Sequence, residues 1–211
     1  MSEVTHAALS EVASLNPREK LELPANEDVS FVPMSAVCAD TGTIANEESR
    51  EFQEVSKGFT PFLDSDVLVA KITPCFQNGK IAYANITRNF GFGSTEFHVV
   101  RPNPEVLDSR YACHFLRQPV LRTQSVQRRF QSELRTVAQP TLNIKQINEL
   151  SVICYPIEQQ NEFANRIASL TNLKTVHQRA INTLNELFSS LQSFAFKGGL
   201  LGCTREAVAA D

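Results

Sequence analysis

The 40 residues from 157 to 196 contain neither proline nor glycine, and they constrain the fold more than any other part of the chain. Their apolar residues fall into two heptad series offset by three residues, which is the pattern of a coiled-coil helix. At 1.5 Å per residue such a helix spans ~60 Å. A stripe of that length needs a partner helix, either from another chain or from the same chain folding back. The predicted packing positions are Ile167, Leu170, Leu173, Ile181, Leu184, Leu187, Phe188, Leu191 and Phe194.

The chain before this helix has the pattern of a mixed α/β domain. Short runs rich in Val, Ile and Phe predict strands at 29–34, 66–72, 80–86 and 96–101, and a closing strand at 151–155. Asn78-Gly79 favours a tight hairpin connection, and residues 91–94 have the composition of a loop. Helices are predicted at 108–116, capped by Asp108, at 120–130, and at 144–150, capped by Asn143. We therefore expect an α+β fold with a domain over 1–155, a long helix over 156–200 and a flexible tail over 201–211.

Charge is distributed unevenly along the chain, although the net charge is only −3. Residues 1–66 hold 4 Lys and Arg against 13 Asp and Glu, a net charge of −9. Residues 67–145 hold 11 against 4, a net charge of +7. A basic face that meets an anionic partner would explain this asymmetry, and ordinary variation along a chain is the alternative.

The sequence argues against membrane and secreted classes of protein. No apolar run approaches the ~20 residues that a membrane-spanning helix needs. The first residues lack the basic and apolar regions of a signal peptide. The 5 cysteines are odd in number and widely spaced, so a disulfide framework or a zinc ribbon is not expected. We expect a cytoplasmic protein without a metal site.

Motifs of catalysis are not evident in the sequence. Asn16-Pro17 and Asn103-Pro104 lack the second proline and the aromatic residue with which adenine methyltransferases grip the exocyclic amine. No G-x-G-x-x-G follows a predicted strand, so no cofactor pocket of that type is indicated. A Cys–His hydrolase using Cys113 or Cys75 is the enzymatic alternative, because partners of this kind meet in space rather than in sequence. A buried thiol beside an exposed imidazole is the simpler interpretation of Cys113-His114.

Long hydrogen-bond donors are concentrated in the basic part of the chain. Between 109 and 145 the sole counter-charge is Glu133. Arg, Lys, Asn and Gln make bidentate contacts with base edges, while Ser and Thr reach phosphates. Solvated surface loops would have a similar composition. The predicted DNA-binding residues are Lys71, Thr73, Gln77, Asn78, Lys80, Arg88, Ser94, Thr95, Arg122, Arg128, Arg129, Gln131 and Arg135.

Several short blocks form a recognisable series along the chain. They are residues 9–17, Phe31-Val-Pro-Met34 with Gly42-Thr-Ile44, residues 66–75 with Asn78-Gly-Lys-Ile-Ala82, Gly93-Ser-Thr-Glu-Phe97, Pro156-Ile-Glu-Gln-Gln160, and the helix end from Leu187 to Leu200. In this order they resemble the specificity subunits of type I restriction–modification systems. The likeness covers nearly the whole chain. Gln159 departs from the family pattern, which usually has glutamate at that position.

The resemblance implies a division of labour between this chain and its partners. A specificity subunit is not catalytic, and its target-recognition domain reads a half-site in double-stranded DNA. Its long helix docks modification subunits, which methylate adenine N6 with S-adenosylmethionine, so no cofactor is expected in this chain. A restriction subunit can also join the complex. The alternative from the residues themselves is a coiled-coil protein-interaction module without a DNA role.

The chain has one recognition domain and one long helix, whereas full-length members of the family have two of each. In those members the two helices pack in an antiparallel coiled coil. The resemblance therefore implies a half-subunit, and we expect a homodimer whose two-fold symmetry reads a palindromic bipartite target. A 1:1 complex, in which one modification subunit covers the apolar seam, is the competing assembly.

Overall fold

The computed structural model describes residues 4–18, 22–118, 142 and 144–197. The chain divides into two compact units, Met1–Ala164 and Asn165–Asp211, and each is described by itself. The strands are β1 (Thr5–Ala8), β2 (Ala13–Leu15), β3 (Asp28–Val32), β4 (Glu48–Glu51), β5 (Thr60–Leu63), β6 (Val67–Ala70), β7 (Ile81–Tyr83), β8 (Phe90–Gly93), β9 (Phe97–Pro102) and β10 (Ser151–Cys154). The helices are α1 (Leu9–Val12), α2 (Phe52–Val55), α3 (Thr73–Gln77), α4 (Ser109–Leu116), α5 (Ile144–Asn148) and α6 (Ile157–Phe196), with a 3-10 turn at Met34–Ala36.

Ten strands of the first unit form two four-stranded sheets and one two-stranded ribbon. The first sheet has the order β2-β9-β6-β7 and is antiparallel throughout. The second sheet has the order β4-β3-β8-β5, in which β3 and β8 are parallel. Strand β1 pairs with β10, so the start of the unit is joined to the segment that precedes the long helix.

Alternating side chains of the first sheet supply two separate cores. Val67 and Val69 of β6 point into a core that helices α1, α4 and α5 cover. Leu68, between them, points to the opposite face and packs with Phe62 of the second sheet. The far face of the second sheet packs against the region of α2, in a third core that includes Phe31. The unit therefore has four layers in order: helices α1, α4 and α5, the first sheet, the second sheet, and the short helix α2.

The four strands predicted between residues 29 and 101 are present as β3, β6, β7 and β9, and the closing strand is present as β10. The loop predicted at 91–94 is wrong, because residues 90–93 form β8. A Cβ atom on Gly91 would lie 2.4 Å from the ring of Phe62. Glycine is therefore required here by close packing inside a sheet, not by a turn. Strands β1, β2, β4 and β5 were not predicted.

The tight hairpin predicted at Asn78-Gly79 is also wrong in its details. Strands β6 and β7 are antiparallel neighbours, as expected, but helix α3 lies between them. Gly79 does adopt a positive φ of 80°. It ends the turn after α3, where its amide donates to the carbonyl oxygen of Phe76 at 2.9 Å.

The helix predicted after Asp108 is confirmed as α4. The carboxylate of Asp108 accepts a hydrogen bond from the amide of Tyr111 at 2.9 Å, which caps the helix start. Helix α5 confirms the third prediction, although its expected cap, Asn143, lies outside the described residues. The helix predicted at 120–130 and the tail predicted at 201–211 lie outside them as well.

The long helix α6 is confirmed over all 40 predicted residues. Its first turns belong to the first unit and are anchored by Gln160, whose side chain is fully buried. The Gln160 amide donates to the carbonyl oxygens of Val106 and Tyr155 at 2.9 and 2.6 Å, and its oxygen accepts from the amide of Asp108 at 2.9 Å. The part of α6 in the second unit carries exposed apolar side chains, among them Leu170 and Leu184 at 60% and 64% exposure. Within the residues described, no helix combines the length and apolar character needed to cross a membrane.

Candidate nucleic-acid interface

Two of the predicted DNA-binding segments meet at one edge of the first sheet. Strand β6 is antiparallel to both of its neighbours, so its C-terminal end lies beside the N-terminal ends of β7 and β9. The amide of Ala70 donates to the carbonyl oxygen of Lys80 at 3.1 Å, and that of Lys71 donates to Glu96 at 2.7 Å. We call residues 71–80 together with 94–96 the Lys71 edge.

Both lysines of the Lys71 edge make hydrogen bonds within the domain. Nζ of Lys71 donates to the carbonyl oxygen of Thr95 at 2.6 Å, and Nζ of Lys80 donates to that of Met34 at 2.9 Å. Burial lowers the pKa of Lys71, and the carboxylate of Glu96 partly opposes this effect. Each ammonium group has three N–H donors, of which these contacts use one. The lysines therefore brace the loops of the edge while carrying positive charge to it.

The loop that contains α3 is held by one buried ring. Phe76 is only 6% exposed and anchors α3 in the first core. Of the predicted contact residues in this loop, Asn78 is exposed and Gln77 is half-buried, and Thr73 is the first residue of α3. This arrangement presents the amide of Asn78 to solvent from a backbone that is fixed on both sides.

The second loop of the edge is fixed by Ser94. Its amide donates to the carbonyl oxygen of Val32 at 3.3 Å, and its hydroxyl accepts from the amide of Glu96 at 3.2 Å. Thr95, the next residue, is exposed. Ser94 thus has a structural role in this loop, while the hydroxyl group of Thr95 is available at the surface.

A third segment of the chain reaches the same edge at Leu142, which sequence reasoning missed. Its amide donates to the carbonyl oxygen of Lys71 at 2.7 Å, and its side chain is 7% exposed. Leu142 is the described residue that follows residues 119–141 in the chain. The predicted contact residues that lie in this stretch, and so outside the described residues, are Arg122, Arg128, Arg129, Gln131 and Arg135.

A buried histidine holds Leu142 from the other side. Nε2 of His98 lies 2.9 Å from the carbonyl oxygen of Leu142 and donates to it, since a carbonyl can only accept. Nδ1 is then an acceptor, and the side-chain amide of Asn16 donates to it at 3.0 Å. The oxygen of the same amide accepts from the amide of Val99 at 2.8 Å. Burial lowers the pKa of His98, as does the charge of Lys71, while the bond to Leu142 opposes them.

Arg88 lies apart from the Lys71 edge. It precedes β8, whereas Ser94 follows the same strand, so the two residues lie at opposite ends of β8. Nη2 of Arg88 is 3.4 Å from a carboxylate oxygen of Asp28, and both side chains are about half exposed. The backbone beside it is ordered by Glu47, which accepts hydrogen bonds from Ser30 and from the amide and hydroxyl of Thr87. The structure therefore separates Arg88 from the predicted contacts of the Lys71 edge.

Two observations on the described residues concern the catalytic alternatives. Among them, no group of three or more His, Cys, Asp and Glu side chains is placed to hold a metal ion. The Cys113 thiol is buried on α4, and burial raises its pKa to about 12, which does not suit a thiolate nucleophile. His114 follows it on the helix and has a pKa lowered by burial.

The chain is similar to known proteins in both sequence and fold. A family model described as the type I restriction modification DNA specificity domain matches residues 1–186. The chain belongs to this family. The resemblance seen in the sequence blocks is thereby confirmed, and with it the mixed α/β class with a long C-terminal helix.

Two curated members of the family come from Escherichia coli. The specificity subunit of type I restriction enzyme EcoEI is 38% identical over 113 residues, which cover 53% of this chain and 19% of that protein. The specificity subunit of type I restriction enzyme EcoAI is 30% identical over 194 residues, which cover 83% of this chain and 31% of that protein. The chain thus spans about a fifth of the first relative's length and less than a third of the second's.

Solved structures share the fold at low sequence identity. A chain from a study of complex assembly and conformational transition of the type I R-M system has a TM-score of 0.63 at 18% identity, covering 99% of this chain and 51% of that chain. The HsdS subunit from Thermoanaerobacter tengcongensis also has a TM-score of 0.63, at 17% identity, covering 90% of this chain and 48% of that chain. These likenesses support the fold of the domain together with its long helix.

Proposed function

We propose that this chain is a non-catalytic DNA-reading part of a type I restriction–modification complex, with residues 1–155 as its target-recognition domain. The observation that carries the proposal is the convergence of chain segments at the Lys71 edge. Residues 71–80, residues 94–96 and Leu142 come from separate parts of the sequence and are hydrogen-bonded to one another there. The chain arrives at this edge directly after its most arginine-rich stretch. A rigid edge with basic and amide side chains suits contact with phosphates and base edges.

The second part of the proposal concerns the long helix. Residues 156–200 dock the modification subunit, which supplies S-adenosylmethionine and transfers the methyl group to adenine N6 in the cytoplasm. A restriction subunit can be added to this core complex. Methylation requires a base to be flipped into a catalytic pocket. In this proposal, the reading and the chemistry are divided between two proteins.

The third part of the proposal is a homodimer formed through the long helix. Its exposed apolar stripe needs a cover in water, and a second copy of the chain can supply one. Two recognition domains related by a two-fold axis would read a palindromic bipartite target, whose spacer depends on the length of the helices. A 1:1 complex with the modification subunit would read one half-site, and its target would not be palindromic.

Methylome sequencing of cells that express this chain with its modification subunit tests the proposal. We expect N6-methyladenine within one defined motif, and none in cells that express the modification subunit alone. A palindromic bipartite motif would support the dimer. Unchanged methylation without this chain would contradict a role in DNA recognition. It would favour the alternative, a coiled-coil interaction module. Such a module should bind a partner helix, and substitutions in the Lys71 edge should not affect its function.

A further inference from the structure

The 3-10 turn Met34–Ala36 lies beside the loops of the Lys71 edge, although it belongs to the other sheet. Strands β3 and β8 are parallel, with Val32 opposite Gly93, so the segments that leave them start at the same end of the second sheet. The turn follows β3, and residues 94–96 of the edge follow β8. The two segments are joined where they begin, since the carbonyl oxygen of Val32 accepts a hydrogen bond from the amide of Ser94 at 3.3 Å.

The turn is also fixed to the first sheet and to the core. Nζ of Lys80, which precedes β7, donates to the carbonyl oxygen of Met34 at 2.9 Å. The amide of Ala36 donates to the carbonyl oxygen of Pro33 at 3.0 Å and closes the turn. The side chain of Ala36 is 1% exposed and packs in the second core with Val37. The backbone of the turn is therefore held by contacts from both sheets.

Ser35, at the centre of this turn, is exposed to solvent. Its hydroxyl group has no hydrogen-bond partner within the part of the chain that the structure describes. A hydroxyl group offers one donor and two acceptor sites. Three separate segments of the chain thus present an exposed polar side chain from a fixed backbone at this place, namely Ser35, Asn78 and Thr95.

The end of the second sheet that carries the turn is suited to an anionic partner. The Lys71 edge beside it contains two lysines and one carboxylate, that of Glu96. The turn itself has no charged side chain. Glu48, at the start of the neighbouring strand β4, is paired with Arg50 at 2.7 Å. An approaching polyanion therefore meets more positive than negative charge here.

The opposite end of the second sheet has the reverse balance of charge. Residues 27–28 and 51–54 meet there, because Asp28 lies opposite Glu51 in the register of β3 and β4. These residues contribute four carboxylates, against two nearby cations, Arg88 and Lys57. A polyanion is repelled by such an end. A duplex therefore approaches the second sheet at the turn.

The turn lies close enough to the Lys71 edge to contact the same duplex. Neighbouring strands are ~4.8 Å apart, so the turn and the loop at 94–96 begin about one strand spacing from each other. The major groove of DNA is ~12 Å wide, with a phosphate backbone on each side. A duplex that contacts Thr95 therefore extends over the turn as well.

We propose that the turn Met34–Ala36 is part of the DNA-contacting surface and that the hydroxyl group of Ser35 donates a hydrogen bond to a phosphate oxygen of the duplex. This inference rests on the proposed function and extends its contact surface from the first sheet to the second. Serine hydroxyl groups are common phosphate donors, and contacts of this kind set the position of a protein on DNA. Ser35 thereby fixes how the duplex lies on the Lys71 edge.

Fluorescence anisotropy of the assembled complex tests the contact, with a labelled duplex that carries the motif found by methylome sequencing. Ser35→Ala should weaken binding roughly tenfold, because it removes a hydrogen bond to a charged group. It should leave the salt dependence unchanged, since no charge is removed. Ser35→Lys should steepen the slope of log K against log salt by about 0.9, because its ammonium group neutralises the phosphate. Ser35→Thr keeps the hydroxyl group and should bind like the parent chain.

Ser56 supplies the matched control, because it is an exposed serine that follows α2 at the opposite end of the second sheet. Ser56→Ala and Ser56→Lys should keep the affinity and the slope of the parent complex, and urea titration checks that every variant is folded. A Ser35→Ala complex with the parent affinity, or a Ser35→Lys complex with the slope of Ser56→Lys, would overturn the inference.

The same measurements separate this inference from the proposed function. If the parent complex binds DNA and Lys71→Ala flattens its slope while the Ser35 variants behave like the parent, the phosphate contact of Ser35 is wrong and the DNA-reading function stands. If DNA binding and methylation by the complex do not depend on this chain, the proposed function is wrong and the contact is rejected with it.

Discussion

Nε2 of His98 donates a hydrogen bond to the carbonyl oxygen of Leu142 across 2.9 Å, and this contact joins strand β9 to the segment that enters helix α5. The amide of Leu142 is bonded to Lys71 at the same point, so one residue is held at both of its backbone polar groups. On the other side of the ring, Asn16 fixes the tautomer through Nδ1. Four distant parts of the sequence therefore depend on one neutral imidazole.

The stability of the chain should fall as the pH drops below about 6.5. Burial lowers the folded-state pKa of both His98 and His114, so the folded chain keeps them neutral where the unfolded chain binds protons. The unfolded state then holds more protons, and the free energy of unfolding decreases as the pH falls through the folded-state pKa. Each histidine contributes at most about 1.4 kcal/mol per pH unit.

Urea titrations between pH 7.5 and 5.5 measure this dependence. His98→Gln should give a shallower decrease than the parent chain, because glutamine does not titrate and its amide can still donate to Leu142. His98→Leu should lower stability at every pH, since it leaves the carbonyl of Leu142 and the amide of Asn16 without this partner. Equal pH slopes for the parent chain and His98→Gln would show that His98 does not remain neutral in the folded state.

Removing one partner of the ion pair between Arg101 and Asp66 should lower the stability of the chain strongly. Asp66 is 1% exposed, and the guanidinium group donates to its two oxygens at 2.7 and 2.8 Å. Arg101→Leu leaves this buried carboxylate without its cation, which we expect to cost about 3 kcal/mol. Arg88→Leu is the matched control, because its pair with Asp28 is exposed and contributes ~1 kcal/mol or less. If the two variants lose the same free energy of unfolding in chemical denaturation, the buried pair of Arg101 with Asp66 does not stabilise the fold as expected.

Gly91 should not tolerate even one added methyl group. The Cβ of alanine would lie 2.4 Å from the ring of Phe62, which is fully buried between the two sheets. We expect Gly91→Ala to cost about 1–3 kcal/mol through overpacking. The double variant Gly91→Ala/Phe62→Leu should recover part of this loss, because leucine removes the ring atoms that clash. Thermal unfolding of the three proteins measures the effect, and an unchanged Gly91→Ala transition would be inconsistent with this packing.

The elements that sequence reasoning identified are those whose causes are local. The cap at Asp108 and the long helix depend on residues within a few turns, so both elements were predicted correctly. The loop predicted at Gly91 failed because the reason for that glycine is Phe62, a residue from another strand. Local composition does not distinguish a glycine that turns the chain from one that admits a neighbouring ring.

The candidate site shows the same contrast between features with local causes and features that depend on distant residues. The basic and amide residues of the Lys71 edge can be found from composition, and the grouping of 71–80 with 94–96 follows from antiparallel strands. The contacts that hold the edge could not be found, because Asn16, His98 and Leu142 are far apart in sequence and meet only in the folded chain. Asn16 carries one signal, a positive φ of 45°. Asparagine adopts this left-handed conformation more readily than most residues, but the preference does not identify His98 as its partner.

Lys71→Ala should weaken DNA binding by the assembled complex and reduce its salt dependence. If Nζ neutralises one phosphate, the slope of log K against log salt decreases by about 0.9 when the charge is removed. Lys57→Ala is the matched control, because Lys57 is an exposed lysine after α2 and was not assigned to the interface. Fluorescence anisotropy over a range of salt concentrations gives both affinity and slope, and urea titration checks that losing the bond to Thr95 has not unfolded the edge. A folded Lys71→Ala variant with the affinity and slope of the parent complex would remove Lys71 from the DNA interface.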